Sequence, residues 1–99
     1  MNDIYGIVEV SNRKMLAFYF VTIHFEEEVV VLSDRSGGKK ILNLRIPITE
    51  MTNYQSKAPG GNEIISFDFQ KNNYRFIEYG NKTVRLFGKL LEERMYLLT

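Results

Sequence analysis

The 99-residue sequence contains no cysteine. That absence excludes disulfide bonds, thiolate metal sites and a cysteine nucleophile, and it is compatible with a reducing cytosol. His24 is the only histidine, so a set of nitrogen ligands for zinc or a redox metal is lacking too. As a general base, His24 would need an orienting carboxylate and a nucleophile close in space, and only Glu26 to Glu28 stand near it in sequence. We therefore expect neither an enzyme nor a bound cofactor or metal.

The sequence also has no excess of one charge and no apolar run long enough to span a membrane. Thirteen Lys and Arg residues stand against 12 Asp and Glu residues, which leaves a net charge of +1. This balance argues against nucleic acid as a partner and against a whole-molecule attraction to anionic membranes. The stretch from Met15 to Ile23 is apolar except for Thr22, but it is far shorter than the roughly 18 residues that a membrane span needs. No basic region followed by an apolar run opens the chain, so we expect no signal peptide and a cytoplasmic location.

The residues that are present suit one folded domain. Hydrophobic residues make up 44% of the chain and charged residues 25%, which is typical of a single core inside an ordinary polar surface. A chain of this length can bury roughly two-thirds of the surface that it exposes when unfolded. No shift in composition marks a linker, so we predict a single domain over residues 1–99.

Most of the chain shows the alternation that is typical of β-strands. Alternating runs fall at residues 4–10, 42–48, 65–69 and 74–77, and continuous apolar runs that also suit strands fall at 15–25 and 29–32, with a further short strand possible from Glu50 to Gln55. The run at 15–25 is apolar on both parities, which predicts a strand in the interior of a sheet. Pro47 has no backbone N–H, so its strand should lie at an edge or bend there. The runs at 65–69 and 74–77 read as a hairpin that turns at Lys71 to Asn73, with asparagine in the positive-φ positions.

Only the C-terminal segment predicts a helix. At about 100° per residue, its apolar side chains fall within half of the helical wheel. They are Val84, Leu86, Phe87, Leu90, Leu91, Met95, Leu97 and Leu98. We expect this half to pack inward, so that Leu90→Ala should lower the free energy of unfolding by about 2–5 kcal/mol, as for a buried leucine. Asn81 or Thr83 is the expected N-terminal cap. The predicted fold class is mainly β with one C-terminal α-helix: an antiparallel β-sandwich or partly open barrel of about six to seven strands, capped by the helix.

The order of these elements resembles a known superfold. The residues that carry the resemblance are a mid-domain strand, Leu44 to Met51, and the strand–strand–helix ending Ile64–Phe69, Tyr74–Ile77 and Asn81–Leu91. Over essentially the whole chain they resemble the pleckstrin-homology-like superfold, including its GRAM and bacterial branches. The resemblance implies about seven antiparallel strands in two near-orthogonal sheets, with a C-terminal helix that plugs one open corner.

The resemblance also implies a choice between two functions. Lipid-binding members of the family place several Lys and Arg residues across the first hairpin, where this chain has Arg13 and Lys14 and then the uncharged run Met15 to Tyr19. This departure argues against phosphoinositide recognition. It favours the family's other common use, a non-enzymatic protein-binding or scaffold module, whose partner is another protein or a second copy of the chain, with no small-molecule substrate.

One face of the second strand is the candidate protein interface. Its residues are Tyr19, Val21, Ile23 and Phe25. In a small sandwich only one side of each sheet points inward, so a strand with two apolar faces should leave one of them exposed, as interfaces often do. The alternative is that the helix or a curled sheet covers these four side chains.

A basic patch is the candidate for the alternative function. Two pairs, Arg13 with Lys14 and Lys39 with Lys40, would form it if they lie on neighbouring loop tips, and Arg35 stands close to the second pair. Such a patch attracts an anionic ligand, a lipid headgroup or a membrane surface.

Overall fold

The computed structural model describes residues 4–35, 37–38, 41–58, 63–78, 80 and 82–98. Within them, seven antiparallel strands form one strongly curled sheet, and one α-helix packs against it. The strands are β1 (Ile4–Ser11), β2 (Leu16–Glu26), β3 (Val29–Asp34), β4 (Leu44–Pro47), β5 (Thr52–Lys57), β6 (Ile64–Phe69) and β7 (Asn72–Ile77). The helix is α1 (Thr83–Leu97), and a 3₁₀ turn, Ile48–Glu50, joins β4 to β5. The strand order across the sheet is β4-β3-β2-β1-β7-β6-β5.

The curl gives the sheet the form of a half-barrel with two unlike faces. The concave face carries the core, in which Phe67 and Phe76 from the sheet meet Phe87 from α1. The ring centroids of Phe76 and Phe87 lie 4.7 Å apart, within the range of favourable aromatic pairs. The fold class expected from the sequence, mainly β with one C-terminal α-helix, is confirmed, and of the two expected arrangements the strands form the partly open barrel and not the sandwich.

The central strand β1 sets which residues of its neighbours point into the core. Val8 and Val10, both buried, lie opposite Tyr19 and Ala17 of β2, and Val8 also lies opposite Phe76 of β7. Side chains alternate between the two faces of a strand, and residues directly opposite share a face. The odd-numbered residues of β2 therefore point to the concave side and the even-numbered ones to the convex side.

The places of β2 and β4 in the sheet are the ones that their sequences predict. β2 lies inside the sheet, as two apolar faces predict: β1 pairs along it from Leu16 to Ile23, whereas β3 pairs only with its second half, from Val21 to Glu26. β4 contains Pro47 and is the strand at one end of the sheet, so the edge position expected for it is confirmed.

The turn between β6 and β7 differs from the expected one. The positive φ angles belong to Gln70 (49°) and Lys71 (72°), whereas Asn72 already starts β7. Two successive residues with positive φ suit the right-handed twist of a tight hairpin. Asn73 serves a different purpose, because its Nδ2 donates to the Oδ1 of Asp68 at 2.9 Å and to the carbonyl of Phe67 at 3.3 Å.

The N-terminus of α1 is capped by a residue that the sequence did not point to. The carboxylate of Glu78 accepts hydrogen bonds from the N–H groups of Gly80 (2.9 Å), Lys82 (2.7 Å) and Val84 (3.0 Å). Of the two expected caps, Asn81 lies outside the described residues. Thr83 does not cap, because its Oγ1 is buried without a hydrogen-bond partner in the described structure.

α1 buries a narrower strip than the expected half-circle. Its buried residues are Val84, Phe87, Gly88 and Leu91, with Leu90 and Met95 half-buried against the core. Three members of the expected set are exposed instead: Leu86, Leu97 and Leu98.

The closest approach of α1 to the sheet explains this difference. At Gly88 an added Cβ would lie 2.8 Å from the Cδ1 of Ile65, so the backbone of the helix almost touches β6 there. Leu86 lies roughly 160° around the wheel from Gly88, on the side away from the sheet. Leu97 is the last residue of the helix and lines the open groove beside it. Leu98 follows the last helical residue.

Candidate functional site

The predicted protein interface on β2 is mostly part of the core. Val21 and Ile23 have relative exposures of 0% and 2%, and Tyr19 and Phe25 are half-buried against the same core. The Phe25 ring lies 6.0 Å from that of Phe87, and the guanidinium of Arg94 covers it at 4.1 Å. The expectation that this face is exposed is therefore wrong. The physical reason is that the sheet curls around these residues and that Phe87 and Arg94 of α1 cover Phe25.

The other face of β2 carries the exposed apolar surface. Leu16, Phe18 and Phe20 have relative exposures of 60%, 57% and 53%, and they follow one another on the convex side of the sheet. Tyr5 on β1 is exposed on the same side, and Met15, which directly precedes Leu16 in the chain, is exposed as well. We call these five residues the convex stripe. Large side chains with more than half of their surface in water, three in a row, are the arrangement that exposed binding patches show.

An apolar row extends the convex stripe across the sheet. Ile7 on β1 lies opposite Phe20, Ile77 on β7 lies opposite Ile7, and Ile64 on β6 lies opposite Ile77. The three isoleucines are half-buried. Because directly opposite residues share a face, the row runs from the convex stripe over the middle of the convex surface.

β2 also presents an open edge beside the convex stripe. The N–H of Arg35 donates to the carbonyl of Phe20 at 2.9 Å, just past the end of β3. In an antiparallel strand the N–H and C=O of every second residue point to the same side, so those of Leu16 and Phe18 point the way that Phe20 does. Among the described residues, no backbone group bonds Leu16 or Phe18 on this side. Within the described part of the chain, the edge therefore offers the N–H and C=O groups of two residues next to exposed apolar side chains.

The basic residues lie at the two ends of the convex stripe. Arg13 and Lys14 are exposed in the β1–β2 turn, which Asn12 stabilises by accepting from the N–H of Lys14 at 2.8 Å. Arg35 lies beside Phe20 at the other end, and its guanidinium stacks on the Tyr5 ring at 3.8 Å.

The described members of the predicted patch therefore do not form one cluster. Leu16, next to the turn, and Phe20 are four residues apart, roughly 13 Å at the usual strand rise. Lys39 and Lys40 lie outside the described residues.

The only histidine belongs to a surface ion cluster. The Nε2 of His24 lies 3.1 Å from the Oε2 of Glu26, and Arg45 donates to the Oε1 of Glu26 at 2.7 Å. The hydrogen bond from Arg45, followed by that from His24, lowers the pKa of Glu26. In the described part of the chain, no three histidine or acidic side chains come together in a way that could hold a metal ion.

An open groove of about 810 Å³ lies between α1 and the β5–β6 hairpin. On the α1 wall two basic side chains, Arg85 and Lys89, are followed by two acidic ones, Glu92 and Glu93, and Ser56 and Glu63 line the opposite wall. Next to it the Tyr54 hydroxyl donates to Glu92 at 2.6 Å. Burial, together with the neighbouring Glu92 carboxylate, raises the pKa of Tyr54. No sequence pattern pointed to this groove, because its two walls are distant in the chain.

No known protein assigns a function to these surfaces, so their geometry alone decides between the candidates. None of the described helical residues forms a helix long and apolar enough to cross a membrane. Protein-family models, curated proteins and solved structures were compared with the chain, and none of them matches it.

Proposed function

We propose that this chain is a non-enzymatic protein-binding module that docks its partner on the convex stripe. The observation that carries the proposal is the consecutive exposure of Leu16, Phe18 and Phe20 on one strand. At about 200 Å² per aromatic side chain, Phe18, Phe20 and Tyr5 alone expose roughly 300 Å². With Leu16 and Met15 added, the patch reaches the size of the largest patches on monomeric proteins, which are often functional.

The fold is compatible with the same proposal but is not the main evidence for it. Seven antiparallel strands in the order β4-β3-β2-β1-β7-β6-β5, followed by a C-terminal helix, are compatible with a pleckstrin-homology-like domain. Protein-binding and scaffold modules are common in that superfold, but a fold hosts many functions, so the argument rests on the surface. The cysteine-free sequence is compatible with a reducing compartment, and we propose a cytoplasmic location for the module.

Site-specific photocrosslinking tests the proposal. With benzoylphenylalanine in place of Phe18, irradiation in an extract of the source cells should give one discrete crosslinked protein. The matched control carries the same probe in place of Leu86, an apolar residue of α1 that is 45% exposed and lies outside the convex stripe. Equal labelling at both positions, or none at Phe18, would overturn the proposal.

Anion binding is a second candidate because a basic pair adjoins the apolar surface. Arg13 and Lys14 are exposed immediately before Met15 and Leu16 of the convex stripe. Cations beside exposed apolar side chains suit an anionic membrane surface. Phosphatidylserine vesicles at low salt should retain the protein and should lose it when both residues become glutamate. Equal retention by neutral phosphatidylcholine vesicles, or none by either, would remove this candidate.

A further inference from the structure

We infer that the partner on the convex stripe is a second copy of this chain, joined edge to edge along the first residues of β2. The inference rests on the proposed function and names its partner. Two observations lead to it: the backbone edge that the described residues leave open at Leu16 and Phe18, and the exposed apolar side chains of the same residues. An unpaired edge is a template for another strand, so the chemistry selects an extended segment over a helix or a small molecule.

The spacing of the open groups makes the edge complementary to itself. If two copies of β2 lie antiparallel about a two-fold axis at Ala17, Leu16 of each copy lies opposite Phe18 of the other. Both residues point their N–H and C=O outward, so the two pairs can form about four hydrogen bonds. The register ends before Phe20, where the carbonyl is already bonded to Arg35 of the same copy. A self-complementary contact of this kind closes as a symmetric dimer.

The side chains agree with this register on both faces. On the convex side it places Leu16 beside Phe18 of the other copy, twice, and aliphatic–aromatic pairs of this kind stabilise neighbouring strands. On the concave side it places Ala17 opposite itself in a non-hydrogen-bonded pair, where the strands are closest and a small side chain fits. The β1–β2 turn, with Arg13 and Lys14, would lie near the end of β3 of the other copy, which carries Asp34.

The exposed area indicates a weak, reversible dimer. Together the two copies contribute roughly 600 Å² of exposed aromatic surface, about half of the total of roughly 1,200 Å² at which stable interfaces begin, and Leu16 and Met15 add only two smaller side chains per copy. The net charge of +1 adds little repulsion between copies. We therefore expect a dissociation constant of roughly 10 µM to 1 mM.

Sedimentation equilibrium on the purified protein tests the dimer. Over concentrations from about 10 µM to 1 mM, the average mass should rise towards twice the monomer mass. Phe18→Lys places a charge on the edge, and Phe18→Pro removes its N–H without touching the ladder to β1, so both should stay monomeric. Leu86→Lys, at an exposed position on α1, should dimerise as the unmodified protein does. Circular dichroism confirms that each variant is folded.

Disulfide trapping tests the register. The chain has no cysteine, so Ala17→Cys introduces the only thiol. A non-hydrogen-bonded antiparallel pair brings two Cα atoms to about 4.5 Å, within the range that a disulfide spans. Ala17→Cys should give a covalent dimer under mild oxidation at concentrations where Leu86→Cys does not.

The possible results separate this inference from the proposed function. A protein that remains monomeric at the highest concentration overturns the self-pairing, as does a dimer that neither Phe18→Lys nor Ala17→Cys affects. If the photocrosslink at Phe18 captures a different protein, the proposed function stands and the second copy is excluded as the partner. If it captures the chain itself, both are supported.

Discussion

Truncating two leucines of α1 separates the buried side of the helix from the exposed side. Leu91 is fully buried, whereas Leu86 is 45% exposed on the far side from the sheet. Leu91→Ala removes the contacts of a core leucine and leaves a cavity, so it should lower the free energy of unfolding by about 2–5 kcal/mol. Leu86→Ala should change it by no more than about 0.5 kcal/mol, because the side chain is mostly in water and alanine favours helix.

Urea denaturation followed by far-ultraviolet circular dichroism measures both changes. A domain of this size has a total stability of about 5–15 kcal/mol, so Leu91→Ala should still fold. For a loss near 3 kcal/mol, its midpoint should fall by about 1–3 M urea, while that of Leu86→Ala should barely move. Similar losses in the two variants would mean that the helix does not dock along Gly88, and the assignment of its buried strip would fail.

Three further predictions concern polar groups. Glu78→Ala leaves three N–H groups, those of Gly80, Lys82 and Val84, without their acceptor and should lower the free energy of unfolding by about 1–2 kcal/mol. Thermal unfolding measures the loss, which should be smaller for Glu78→Gln, and an unchanged stability of Glu78→Ala would refute the cap. A hydrogen bond from Asn53 and a weaker contribution from Asn73 lower the pKa of Asp68, so the Asp68 carboxylate stabilises the fold at pH values above its ordinary pKa of 3.8. That contribution should disappear as the pH falls below this value, and an acid titration of Asp68→Asn should lose correspondingly less stability. The pKa of Tyr54 is raised in the folded chain, so the native state should lose stability as the pH rises past about 10, where the tyrosine of the unfolded chain loses its proton. Tyr54→Phe should lose less stability over the same pH range. Identical alkaline unfolding profiles of the two proteins would contradict this assignment.

The element types could be predicted from the sequence because they depend on local patterns. Among the described strands, alternating or continuous apolar runs predicted all but the mostly polar β5, and Pro47 predicted an edge strand because proline lacks the N–H that a strand pair needs. The same local reasoning could not choose the inner face of β2, because both parities are apolar. That choice depends on pairing: Phe18 lies opposite Glu9 of β1, so a polar residue of the neighbouring strand identifies the outer face.

The features that the sequence did not reveal depend on contacts between distant residues. The strip of α1 that packs inward is set by the approach of Gly88 to Ile65, which no helical wheel contains. Similarly, Tyr54 meets Glu92 only after β5 and α1 have come together. The cap at Glu78 is closer in sequence, but it lies before a residue with left-handed geometry, Lys82, and so outside the usual capping position.

The position of β1 between β2 and β7 has a consequence for protein synthesis. The first four strands can pair as soon as the ribosome has released them, because each lies beside the next one in the chain. Their concave face stays uncovered until β7 has paired with β1 and α1 has followed. At the usual rate of translation, making the residues from Pro47 to Leu97 takes about 3–10 s. During that interval an incomplete chain exposes its future core as well as the convex stripe, so this is when it most needs protection from aggregation.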